Sequence, residues 1–128
     1  MYDEILQAVI AMASAAIGGE QILTGSMPPN NGIAMIGNSA PETIFLDIGS
    51  NERMSIICNG KNTDQMAVIR QLDLIHRYLT KRKDFPSGNG WRIYSIETVA
   101  SPRLVGREAN SQWLYASSLL VKINTKGI

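Results

Sequence analysis

The 128-residue, 14.0 kDa chain is 45% hydrophobic and 18% charged, enough for one domain with a proper core and no need of disulfides or a structural metal. Its single cysteine, Cys58, excludes an internal disulfide framework and a zinc site of several thiolates, and no apolar run reaches the ~20 residues of a bilayer span. A net charge of +1 gives no support to a simple nucleic-acid binder.

The first periodic segment predicts a helix from Tyr2 to Ile17. Ile5, Val9, Met12 and Ala16 fall on one face, with Leu6, Ile10, Ala13 and Ile17 beside them. Asp3 suits the positive end of that helix and Gly18-Gly19 its stop. The acidic start is opposite in charge to a secretory signal, so a soluble, cytoplasm-compatible globule is expected. From Thr24 to Asn31 the sequence TGSMPPNN predicts a loop, because Pro28 and Pro29 cannot donate ladder hydrogen bonds.

Short β-type runs follow at Ile33–Ile36, Thr43–Ile48 and Met54–Cys58, with a hairpin expected at Gly49-Ser50-Asn51. Met54, Ile56 and Cys58 share one face, and Asn59-Gly60 marks a reversal. Val68, Leu72, Ile75 and Leu79 then predict a helix from Thr63 to Arg82, with Thr63 as N-cap and Asp64 in the first turn. Lys81, Arg82 and Lys83 suit its negative end, and Phe85-Pro86 with Ser87-Gly88-Asn89-Gly90 turns the chain.

Two longer strands close the domain. In WRIYSIETV, Arg92, Tyr94, Ile96 and Thr98 alternate with Trp91, Ile93, Ser95, Glu97 and Val99, and in QWLYASSLLVKI the residues Trp113, Tyr115, Ser117, Leu119, Val121 and Ile123 share one face. Between them SPRLVGREANS predicts a long polar loop. Six of the eight aromatics lie in this C-terminal part, which locates the main core there. The order helix–strand–strand–strand–helix–strand–strand implies an α+β fold, a mainly antiparallel sheet packed by two helices.

Chemistry is sparse. His76, the sole histidine, has no nucleophile or acid in a motif around it and fits a helix position at the edge of the core. Cys58 has no CxxC partner and fits a buried, inert thiol. GGEQILTGS lacks the Lys-Ser/Thr ending of a phosphate loop, and the carboxylates are scattered. No enzyme and no cofactor is expected.

Charge, in contrast, is unevenly distributed. Residues 1–52 hold six acidic residues and no Lys or Arg, whereas residues 53–128 hold all twelve basic residues and five acidic ones. Such a split makes a basic binding face, or complementary surfaces between subunits, unless the two halves interleave and cancel. Lys81, Arg82 and Lys83, with Tyr78 and Phe85 nearby, offer phosphate contacts for a small nucleic-acid-binding module or form a solvated helix end. Arg103, Arg107 and Glu108 can make charge-assisted hydrogen bonds across an interface, with Gly106 easing the turn, or belong to an ordinary connection.

At that segment the sequence resembles the tail-terminator or minor capsid proteins of bacteriophages with long non-contractile tails. WRIYSIETVASPRLVGRE and NSQWLYASSLLVKI carry the likeness, with Ser101-Pro102, Gly106-Arg107, and Trp113 with Tyr115. SIICNGKN before a helix ending in RYLTKR is similar too, as is the first helix followed by the Met27-Pro28 loop. The resemblance implies a structural virion protein that forms a ring, usually of six copies, at the head-proximal end of the tail. Such a ring stops addition of tail-tube subunits and presents a surface to the head-completion protein. It assembles in the host cytoplasm, from subunits that can be monomers in dilute solution, with DNA passing through and no membrane involved. The 24–32 and 101–112 segments are the expected interaction elements.

Overall fold

The computed structural model describes residues 2–25, 31–37, 51–88, 90–108 and 111–124. The predicted strand at Thr43–Ile48, and most of the turn after it, lie outside these.

Helix α1 spans Tyr2–Ala16. Gly18 and Gly19 end it at positive φ, +76° and +87°, and the Gly19 amide donates to the Ser14 carbonyl at 2.8 Å, the wrapped closure that glycine permits at a helix C-terminus. Strand β1 (Ile22–Thr24) follows directly, so Thr24 belongs to a strand rather than to the predicted loop. Strands β2 (Gly32–Gly37) and β3 (Asn51–Asn62) correspond to two of the predicted runs.

Helix α2 spans Gln65–Thr80, shorter at both ends than predicted. Its N-cap is Asp64, not Thr63: the Asp64 carboxylate accepts from the Met66 amide at 3.1 Å. The Thr63 amide is turned toward Asn31 Oδ1 at 3.1 Å, and Asn62 Oδ1 accepts from the Asp64 amide at 2.9 Å. The local turn at the end of β3 thus delivers the cap one residue late, and with a carboxylate, which the helix dipole favours. At the other end Lys81 is the C-cap, and Thr80 Oγ1 donates to the His76 carbonyl at 2.7 Å.

The strands β4 (Ser87–Gly88), β5 (Trp91–Arg107) and β6 (Trp113–Asn124) complete, among the described residues, a six-stranded sheet of order β1-β2-β3-β6-β5-β4. Every ladder is antiparallel except β1–β2, which is parallel. The α+β class therefore stands, with a mixed sheet and two short strands beyond the predicted order.

Strand β5 is the main departure. It does not stop at Val99; it runs through Ser101, Pro102, Arg103 and Gly106 to Arg107, paired with β6. Register shifts at Ile93/Ser95, Thr98/Ala100, Ala100/Arg103 and Leu104/Gly106 break the strict alternation. A bulge changes which face the following side chains occupy, so a bulged strand shows no period of two and looks like loop. A bulged edge also tolerates Pro102, which has no N–H to donate.

Both helices lie on one face of the sheet, α2 against β3, β6 and β5, and α1 against α2 and β1. The core between them is largely aliphatic: Ile5, Val9, Ile33, Ile56, Leu72, Ile75, Leu119 and Ile123 are fully buried. It draws on the N-terminal half as much as on the C-terminal one, while Tyr78 and Tyr94 stand exposed, so the aromatics do not mark its centre. Gly60 lets α2 come close: a Cβ there would lie 2.6 Å from Val68 Cγ2 and 2.9 Å from Ile33 Cδ1.

Candidate functional site

One polar cluster interrupts the core. His76 on α2 places Nδ1 2.8 Å from Thr98 Oγ1 on β5 and Nε2 2.7 Å from Ser117 Oγ on β6. Ser117 in turn donates to the Cys58 carbonyl at 3.4 Å. With the Ser117 proton directed to that carbonyl, the imidazole proton is assigned to Nε2, and Nδ1 accepts from Thr98. This tautomer puts no free base beside Ser117, which is itself buried. The triplet ties α2 to two strands. Burial holds the imidazole below its ordinary pKa, with Asp73 opposing weakly, and burial pushes the Cys58 thiol up to about 12.

The predicted basic run divides. Arg82 stacks over the Tyr78 ring at 4.9 Å and its Nε donates to the Asp84 carbonyl at 3.0 Å. Together with Ala16, Leu74, Arg77 and Lys81, these two line an open hollow of about 440 Å³ between the ends of the helices. Arg77 also pairs with Asp73 at 3.0 Å. Lys83 lies elsewhere, in a second hollow with Phe85, Arg92 and Tyr94. Phe85 packs against the core and covers the helix end.

Of the second predicted group, Arg103 and Arg107 lie on the bulged strand β5 rather than on a projecting loop, and Glu108 follows directly after it. Arg107 stacks over the Trp113 ring at 4.7 Å. Glu108 reaches across β6 to Lys61 on β3, at 2.5 Å. Arg103 lines a shallow hollow on the helix-free face with Ile57, Ala100 and Ala116. The structure thus brings Arg103, Arg107 and Glu108 to one end of the β5–β6 ribbon, and Lys81 and Arg82 to the end of α2, as two separate surfaces.

Sequence reasoning passed over two features. Lys61 is buried, at 5% exposure, which nothing near it in the chain announces, because its partner is Glu108. Val99, Leu104 and Val105 are exposed apolar residues on β5; the sequence alternation predicts Val99 on the same face as Trp91 and Ile93, and Leu104 and Val105, assigned to a loop, had no face to belong to.

Over residues 18–125 the chain matches the family described as Bacteriophage tail terminator protein. The comparison with curated proteins gives no match. Among solved structures, a chain from the virion of a native gene transfer agent particle shares the fold, with a TM-score of 0.62 and 11% sequence identity over 89% of this chain and 85% of that one. The family match takes in the whole sheet and α2, and by it the chain belongs to the bacteriophage tail terminator family, as a structural component of the virion.

Proposed function

We propose that copies of this chain close into a ring, of six by the expectation of the resemblance, at the head-proximal end of a long tail. The ring ends polymerisation of the tail tube and presents the surface on which the head-completion protein docks. The observation that carries the reading is the family match over residues 18–125. The unequal charge of the two halves of the chain supports it, because a ring uses head-to-tail contacts between two different surfaces. Opposite charges on those surfaces favour that pairing over others.

Disabling the gene in its parent phage and imaging the particles tests the reading. The expected result is DNA-filled heads separate from tails, with many tails longer than normal. Tails of normal length joined to heads would refute it.

A second reading is DNA contact through Lys81, Arg82 and Lys83. The cationic rim of the hollow at the end of α2, formed by Arg77, Lys81 and Arg82 with Lys83 in the other hollow, favours it. It expects the isolated chain to bind DNA and to lose that binding steeply between low and moderate salt.

A further inference from the structure

The two edges of the sheet differ in kind. β4 covers β5 at Trp91 and Arg92, and the Ile93 amide donates to the Pro86 carbonyl at 3.4 Å, so from Tyr94 to Arg107 β5 is an open edge among the described residues. Tyr94, Val99, Leu104 and Val105 on this strand are 42%, 64%, 52% and 56% exposed, half of the large apolar residues that stand exposed among the described residues. Arg92 and Arg103 are exposed among them. At the same edge the buried Trp91 indole N–H finds no acceptor among the described residues, and Trp91 lines a hollow of about 300 Å³ with Arg92 and Asn124. An apolar strip with cations fits a partner carrying carboxylates.

The opposite edge supplies carboxylates. Among the described residues β1 ends the sheet there, and α1 packs over it, with Leu6 against Gly37 of β2. Asp3 and Glu4 in the first turn of α1, and Glu20 between α1 and β1, are exposed. Gln71 Nε2 fixes Glu20 by donating to its Oε2 at 2.9 Å. Four strand spacings separate β1 from β5, about 19 Å at 4.8 Å each.

We infer that the open β5 edge of one copy seats against the acidic α1–β1 edge of the next, which makes this pair of edges the repeating contact of the ring. The inference rests on the ring reading and says which surfaces close it. Pro102, which has no N–H to donate, and the four register shifts disfavour a regular ladder with a further strand along β5. The contact is therefore made by side chains: apolar ones projecting from the bulged strand, ringed by arginine–carboxylate pairs.

The test uses the full chain, added to extracts of the gene-disabled phage, with head-to-tail joining and tail length scored by electron microscopy. Arg92→Glu with Arg103→Glu, and separately Glu4→Lys with Glu20→Lys, should each lower joining at least tenfold while circular dichroism and the unfolding temperature stay those of the wild type. One chain carrying all four changes should recover most of the loss, since the edges are again complementary. Leu104→Asp should lose joining without that rescue. Charge variants that join like the wild type, or a folded fourfold variant no better than its parents, would overturn the inference while leaving the ring reading intact. If the wild-type chain itself fails to restore joining and length control, the ring reading falls and the inference with it.

Discussion

Lys61 and Glu108 lie 47 residues apart in the chain and meet at 2.5 Å, the carboxylate reaching over β6 to an ammonium that β3 has buried. The pair pins the turn between β5 and β6 to the centre of the sheet. Its two members differ in exposure, 7% for the lysine side chain and 40% for the glutamate. Removing the glutamate charge strands a buried cation, and that is the costly half of breaking a buried pair. Glu108→Gln should therefore lower stability by about 2 kcal/mol, read from urea unfolding. Lys61→Met in that background should return most of the loss. A silent Glu108→Gln would show that the ammonium is served by water.

His76 makes stability depend on pH. Its folded pKa is depressed, chiefly by burial, so the folded state binds a proton less readily than the unfolded chain. The associated stability is complete above the ordinary histidine value of about 6.5 and declines as pH falls through the lowered folded value. The urea midpoint should drop between about pH 7 and pH 5. His76→Gln, less stable throughout, should show a shallower decline. Equal slopes for the two proteins would assign the acid sensitivity to other groups.

Gly60 leaves no room for a methyl group. Val68 and Ile33, which that methyl would strike, are both fully buried core residues. Gly60→Ala should cost about 1–3 kcal/mol by overpacking, measured by thermal unfolding. Gly106, where a Cβ would meet nothing within 4 Å, is the control, and Gly106→Ala should be close to neutral.

Cys58 should be inert. It is wholly buried on β3 and its thiol is pushed up to about 12, so almost no thiolate exists near neutral pH. A chromogenic disulfide reagent should titrate less than a tenth of the thiol in the native protein within minutes, and all of it in denaturant. Rapid native labelling would mean that β3 opens locally.

What the sequence made legible follows from which interactions are local. The α1 stop at Gly18-Gly19, the α2 stripe from Val68 to Leu79 and the inward faces of β3 and β6 are periodic patterns within one element. The α2 cap was displaced by one residue because Asn62 and Asn31 reorganise the turn, and Asn31 lies 32 residues away from Thr63. β5 was misassigned beyond Val99 because each register shift destroys the period on which recognition depends. The same error concealed the apolar edge, though it singled out Arg103, Arg107 and Glu108 as a group. Lys61 and the His76–Ser117 contact are pairings between distant segments, and only the fold brings them together.

The bulge between Ala100 and Arg103 adds one residue to β5 relative to β6, and it does so where the other side of the strand has no neighbouring strand among the described residues. Sliding or deleting that residue re-aims the side chains on its far side while the buried positions on β6 stay as they are. Deleting Ser101 should thus leave the thermal midpoint within a few degrees of the wild type and yet abolish joining. Compatibility between neighbours could then drift from virus to virus by slippage in one strand, at a pace that the interior of the subunit would not constrain.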